Sequence, residues 1–390
     1  MDLAKIQQYL AEQKLDGWLM ADFHARNNVA VEMLGLSGIV TRRSFYFIPA
    51  MGEPSGIVNI IEKSKFAHLP GKITAYAGYE ALEKQIKAVL SGCNRVAMEY
   101  SPKGRLPYIG LVDAGTVELV KGLGVEVVSS ADLVANFQAR LSAEQIAAHR
   151  IAARNIIEIK DRTFEFIAGA LKDGRPLGEY DVARYILEQF DRYDMETHDN
   201  PICGVNGNAG DPHYEPSEET SKAIEKGSLI LVDLWGKMKH PHGVYADVTW
   251  MAYAGRAADI PAQYRSLFAV VVEARDAAVE FIRANIDSRP VYGADVDDVC
   301  RKVIADAGYG EKFTHRTGHS ITSEGHGPGP NIDNLETEDK RRLQRGHLFS
   351  IEPGVYLDDC GFRTEINVLI GRDGAEITTL PLQTGITSLL

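Results

Sequence analysis

The chain has 390 residues, 45% of them apolar and 25% charged, with a net charge of −12. That balance is the one expected of an ordinary globular protein with enough chain for two full cores. The negative charge argues against a nucleic-acid partner, which would need a basic footprint. No apolar run approaches a membrane span, and the N-terminus lacks the apolar core of a secretory signal. Four scattered cysteines (Cys93, Cys203, Cys300 and Cys360) show no CxxC spacing, which is the pattern of free thiols in a reducing compartment. A cytoplasmic protein is expected.

In chain order, apolar spacing predicts a helix over Leu3–Gln13 and strands near Gly17–Met20, Ser44–Ile48 and Gly56–Ile61. A helix over Tyr79–Leu90 and strands over Arg95–Tyr100 and Val125–Val128 follow. The alternation describes a mixed α/β domain over 1–141, without GxGxxG or a phosphate loop. Ser142 and Gln145 form a capping-box signature that opens a long helix to about Leu171 and marks the start of a second domain, 142–390. Further helices fit Glu179–Tyr193, Pro261–Ile286 and Val296–Gly308. The charged run from Asn334 to Arg342 reads as a solvated surface segment.

Within the second domain, Lys226–Asp233 is a turn followed by a buried-strand pattern that ends in a carboxylate, and Arg345–Glu352 repeats the plan at the same offset. Each is followed by a second strand carrying another carboxylate, Tyr245–Met251 with Asp247 and Phe362–Val368 with Glu365. The period of two places Tyr245, Asp247 and Thr249 on one face, and Arg363, Glu365 and Asn367 on one face. Two such strand pairs facing each other bring Asp233, Asp247, Glu352 and Glu365 to one point. Four unpaired carboxylates at close range could not all stay ionised, and bound cations are the natural remedy. The plainer alternative is four unrelated carboxylates on solvated strands. Between the pairs lies Thr317-Gly318-His319-Ser320-Ile321-Thr322-Ser323-Glu324-Gly325-His326, whose glycines suit close backbone approach to a metal or substrate. One imidazole, His319, added to the four carboxylates makes a set fit for two divalent ions. Oxygen-rich ligation suits manganese, cobalt or iron, and zinc stays open.

On these motifs the chain resembles the pita-bread-fold metallopeptidases, the Xaa-Pro aminopeptidase and prolidase group, with methionine aminopeptidase more distant. The resemblance runs from about residue 145 to the C-terminus, and more loosely over a creatinase-type N-terminal domain. It implies an α/β (α+β) fold with duplicated αβ halves behind a smaller mixed domain, and a homodimer. It implies two divalent ions per chain, manganese first. Asp233 would bind one, His319 and Glu352 the other, and Asp247 and Glu365 both. The implied reaction is hydrolysis of a short peptide before proline by a metal-bridging hydroxide. His326 or His213 would steady the oxyanion, and Glu352 would shuttle the proton. Arg363 would order Glu365, bind a substrate carboxylate or form a structural ion pair. The chain departs from the family in a Leu234–Ala246 connection three residues longer than usual, in Thr322 and in Gly325. These bear on the pocket, not on the ligands. Two other functions stay open: a metal-dependent hydrolase or lyase of a small non-peptide substrate, and a silent interaction module. Intact ligands count against the latter and against the creatine-hydrolysing branch.

Overall fold

The computed structural model describes residues Met1–Leu390, which divide into two compact units, Met1–Gln138 and Ala139–Leu390. In the first unit α1 (Leu3–Glu12), capped by the Asp2 side chain, precedes β1 (Gly17–Asp22) and α2 (Asn28–Met33). β2 (Ser44–Pro49), β3 (Ser55–Asn59), β4 (Lys72–Tyr76) and α3 (Tyr79–Val89) follow. β5 (Arg95–Met98), α4 (Ala114–Lys121), β6 (Glu126–Ser129) and α5 (Ala131–Phe137) complete it. The sheet runs β4-β3-β2-β1-β5-β6, antiparallel at β1–β2 and β2–β3 and parallel elsewhere.

Every residue of central β1 is buried, because both sheet faces are covered. Trp18 and Met20 pack with Ile6, Val29 and Val134, while Leu19 and Ala21 pack with Leu82, Ile86 and Val117. The expected strand at Gly56–Ile61 stops at Asn59, whose side chain accepts from Ile61 N and turns the chain into a 3₁₀ segment with Ile60 and Ile61 exposed. Elements α2, β4, α4 and α5 had no sequence counterpart. Glu99 is fully buried here and accepts from Trp18 Nε1 (2.6 Å), Asn27 Nδ2 (2.7 Å) and Ser130 Oγ (3.0 Å).

The second unit opens with α6 (Ala143–Asp173), where Ser142 and Gln145 form the expected capping box and Gly174 closes the helix in the left-handed region. Then come α7 (Glu179–Arg192), β7 (Met195–Glu196), β8 (Ile202–Val205), β9 (Leu229–Met238) and β10 (Ala246–Tyr253). α8 (Ala262–Asn285) and α9 (Gly293–Asp306) precede β11 (Leu348–Ile351), β12 (Gly354–Tyr356) and β13 (Gly361–Arg363). β14 (Ile366–Gly371), β15 (Gly374–Ile377) and β16 (Thr387–Ser388) end the chain. The plan is a helix pair on a strand pair, made twice. Ile156, Val182 and Phe190 of α6 and α7 pack on Ile230, Val232, Val248 and Trp250. Phe268, Val279, Val296 and Ile304 of α8 and α9 pack on Phe349, Ile351, Phe362 and Val368.

β9 and β10 form a continuous antiparallel hairpin in which Asp233 faces Thr249 and Trp235 faces Asp247. The second pair is broken. The expected strand Phe362–Val368 ends at Arg363 and resumes at Ile366, since β13 pairs with β12 whereas β14 pairs with β11. Pro353 has no N–H to continue the β11 ladder, and beyond it the chain folds away into the β12–β13 ribbon. The charged run Asn334–Arg342 is largely exposed as expected, but Asp339 and Arg341 within it are buried rather than solvated.

Candidate metal centre

Alternation along β9 decides which side chains meet. Ile230, Val232 and Leu234 face α6 and α7, so Leu229, Leu231, Asp233, Trp235 and Lys237 share the opposite face. On β10 the same side carries Asp247, Thr249 and Met251. The halves are stitched at this level. Asn367 of β14 donates from Nδ2 to Asp247 O (2.8 Å) and accepts at Oδ1 from Asp247 N (2.9 Å), standing in for a neighbouring strand. Glu365 N donates to Thr249 O (3.1 Å) in the gap between β13 and β14.

His319 arrives on an irregular segment laid against β11. Its N–H donates to Ser350 Oγ and Ser350 N donates to His319 O, both 2.9 Å. This approach needs glycine at 318, where a Cβ would stand 2.0 Å from Ser350 O. Ser350 Oγ also donates to Glu352 Oε1 (2.9 Å), so one hydroxyl fixes two members of the cluster.

The side chains converge. His319 Nε2 lies 3.3 Å from Glu352 Oε1 and 3.7 Å from Asp247 Oδ2. Asp247, His319 and Glu365 each offer a ligand atom within 4.8 Å of the others. Asp233 and Glu365 are joined to the group through Thr249, which faces Asp233 in register and donates from Oγ1 to Glu365 Oε2 (2.9 Å). Burial pushes Asp247 and Glu365 well above the carboxylate range, reinforced by the neighbouring carboxylates. Burial also raises Asp233 and Glu352, with the Arg363 guanidinium opposing it in both. Burial drives His319 down to about 3, so the ring is neutral.

These residues fit divalent cations. Asp233 Oδ1, Asp247 Oδ1 and Glu365 Oε1 are buried and have no hydrogen-bond donor, an arrangement whose desolvation cost is ordinarily met by a partner. His319 Nδ1 lies 3.3 Å from Ser320 O, which assigns the ring proton to Nδ1 and turns a bare Nε2 lone pair toward carboxylate oxygens. Acceptors facing acceptors call for a positive charge between them.

Arg363 is buried and does not bond Glu365, in contrast to one of the expectations above. Its Nη2 bonds Asp233 Oδ2, Nε donates to Thr249 Oγ1 (3.0 Å) and Nη1 to Tyr356 OH (3.0 Å). Glu365 is reached only through Thr249. Tyr356 OH in turn lies 2.6 Å from His315 Nε2, and His315 Nδ1 bonds Arg316 O (2.7 Å). Thr249, Tyr356, His315, Ser350 and Asn367 carry this framework, and sequence reasoning gave none of them a role. The one available signal was Thr249 and Asn367 sharing strand faces with ligands. His326 stands with its ring centroid 4.1 Å from that of His319 and keeps an exposed face, and the His319 ring is the main cause lowering its basicity. His213 is exposed on a turn capped by Asp211. No hydrogen bond joins it to the cluster, although its charge is felt at His326.

The model of metallopeptidase family M24 matches residues 151–372. An uncharacterised peptidase of Staphylococcus haemolyticus is 27% identical over 228 residues, 58% of this chain and 59% of that protein, so the match spans well under two thirds of the relative. One from Staphylococcus aureus is 26% identical over 265 residues, 67% of this chain and 69% of that protein. Among solved structures, a dipeptidase from Mycobacterium ulcerans has a TM-score of 0.76 at 23% identity, covering 99% of this chain and 96% of that one. An Xaa-Pro dipeptidase from Bacillus anthracis gives 0.69 at 19%, covering 100% and 99%. An X-Pro aminopeptidase from Thermotoga maritima gives 0.65 at 20%, covering 99% of each chain. At these identities the likenesses show the fold: a smaller mixed α/β unit followed in the chain by a pita-bread unit with duplicated αβ halves.

Proposed function

Because the chain belongs to metallopeptidase family M24, we propose that it is an exopeptidase hydrolysing the Xaa-Pro bond of short peptides, as an Xaa-Pro aminopeptidase or Xaa-Pro dipeptidase. One observation carries the reading: three buried, donorless carboxylate oxygens on Asp233, Asp247 and Glu365 gather with Glu352 beside Nε2 of His319. Asp233, Asp247, His319, Glu352 and Glu365 would hold two divalent ions, manganese first among candidates. Such ions supply Lewis-acid activation of water and of the scissile carbonyl.

The remaining roles belong to side chains. Glu352 accepts from Ser350 Oγ at one oxygen, and it is the group we assign to take a proton from the attacking water and give it to the leaving nitrogen. His326 has an exposed face beside His319 and is the group we assign to the carbonyl oxygen as negative charge develops there. His213 is a second candidate for that task. Arg363 holds Asp233 in place from the opposite half, acting as a positioning residue. Preference for proline is supported by the Xaa-Pro enzymes that share this fold.

The test is a substrate panel: an Xaa-Pro dipeptide, an Xaa-Pro-Xaa tripeptide and a control without proline, offered to chelated enzyme reloaded with manganese, cobalt or zinc. Cleavage of the dipeptide alone assigns a dipeptidase, and cleavage of the tripeptide an aminopeptidase. Folded, metal-loaded enzyme that cleaves none of the three overturns the reading.

A further inference from the structure

The segment carrying His326 hangs from a side-chain pair inside the run that sequence reading placed on the surface. Asp339 and Arg341 are 0% and 3% exposed. Arg341 donates from Nε to Asp339 Oδ1 (3.0 Å) and from Nη2 to Asp339 Oδ2 (2.6 Å), and its third arm, Nη1, reaches Pro328 O (2.6 Å). Asp339 Oδ2 also accepts from Asn331 N (2.8 Å), and Asn331 Oδ1 accepts from Ser320 N (3.0 Å), one residue past His319. One buried ion pair thereby touches both histidine segments.

The His326 ring makes no hydrogen bond of its own. Functional imidazoles are ordinarily oriented by a partner on the second ring nitrogen, and here that work falls to the contact with the His319 ring and to the backbone on either side. Three contacts fix the backbone that follows His326: Gly327 N to Ser320 O (2.7 Å), Gly329 N to Ser320 Oγ (3.1 Å) and Arg341 to Pro328 O. The packing is tight, for a Cβ at Gly329 would stand 2.4 Å from Ser320 Oγ. Buried ion pairs contribute little net stability over a hydrophobic replacement, so the pair's value lies in the geometry it imposes. Lysine could not replace arginine in it, because a point charge cannot serve a carboxylate in fork geometry and a carbonyl together.

We infer that Arg341, clamped by Asp339, is a positioning residue that sets His326 against the reacting carbonyl by way of Pro328. The inference rests on the role given to His326 above. A misplacement of about 1 Å at a reacting centre costs on the order of 100-fold, so Arg341→Lys should lower kcat roughly 10–100-fold with KM and metal content little changed. The deciding measurement is a double-mutant cycle. Arg341→Lys is expected to cost nothing further in a His326→Ala background, whereas a merely structural role would exact the same factor in both. A second readout needs no substrate: in ¹⁵N-histidine spectra, the His326 signal, identified by its loss in His326→Ala, should move in Arg341→Lys while that of His149 stays. Equal factors in both backgrounds, or an unmoved His326 signal, overturn the inference. Asp339→Asn keeps an oxygen for Asn331 and gives up the Oδ1 acceptor that serves Arg341 Nε and N, and it carries the same two tests should Arg341→Lys not fold. Wild-type enzyme inactive on every peptide would sink the peptidase reading and leave the spectra to decide on Arg341.

Discussion

The two halves of the second unit supply the same number of carboxylates by different means. In the first half Asp233 and Asp247 sit within long strands whose shared ladder runs unbroken from Leu229 to Gly236, so the pleat sets the face on which each stands. In the second half Glu352 lies just past β11 and Glu365 between β13 and β14, where no ladder holds either. There the aim comes from side chains and from the partner half: Ser350 on Glu352, and Thr249 on both the oxygen and the amide of Glu365. The break also has a use. It frees β12 and β13 to carry Tyr356 and Arg363 across to Asp233, so the irregular half braces the regular one.

The largest effect is expected where the halves share a burden. Asp247→Ala and Glu365→Ala, one from each half, should each abolish metal retention and lower turnover by more than the roughly 10–100-fold typical of outer partners. Metal analysis beside turnover checks this, and an active, metal-bearing Glu365→Ala would show that the second half is not needed. Next, His326→Ala should keep its metal yet lose about two orders of magnitude in turnover. A metal-free variant would make His326 a ligand instead.

Arg363→Met tests the brace between halves. Left buried without its cation, Asp233 should cost the chelated protein about 3 kcal/mol in denaturant unfolding, and an unchanged midpoint would show that the brace bears no strain. Asn367→Leu should cost about 2 kcal/mol by leaving the buried N–H and C=O of Asp247 unpaired. If its metal affinity equals that of the wild type, the seam does not aim Asp247.

The smallest effect is in pH. Asp247 and Glu365, raised well above their ordinary values, bind protons when folded that the unfolded chain releases. Their stabilisation is complete below the ordinary carboxylate range and is lost as pH rises through the folded values. His149, lowered to about 4, and His315 and His319, lowered to about 3, act oppositely, but only below their ordinary value of 6.5. In the window above about pH 6.5 the histidines no longer contribute, and the Tm of chelated protein should fall as pH rises because of the raised carboxylates. Scanning calorimetry should find metal-loaded protein flat across that window. A flat profile for the chelated protein would mean that the four carboxylates do not share one field.

What could be read before the structure follows from periodicity. Strand alternation placed Asp247 with Thr249 and gave the repeated plan ending in Asp233 and Glu352, because a local period of two survives any tertiary arrangement. The capping box at Ser142 was equally legible, since its bonds lie within four residues. Short elements such as α4 and α5 were not, for they owe their form to the sheet they cover more than to their own pattern. In the Asn334–Arg342 run charge density rightly suggested solvent for most residues, but it hid Asp339 and Arg341, which contacts with Asn331 and Pro328 bury.

By itself the sequence determined the chemical inventory: four carboxylates and a histidine with an oxygen-rich preference, two of the carboxylates on strands of known facing, in a chain resembling one family. The tertiary structure alone decided who partners whom. Arg363 goes to Asp233 rather than Glu365, Thr249 mediates between the halves, and Arg341 reaches the His326 segment. Facing is fixed by the backbone's local repeat, whereas a long polar side chain binds whichever partner folding brings within about 3 Å, and no local pattern encodes that distance.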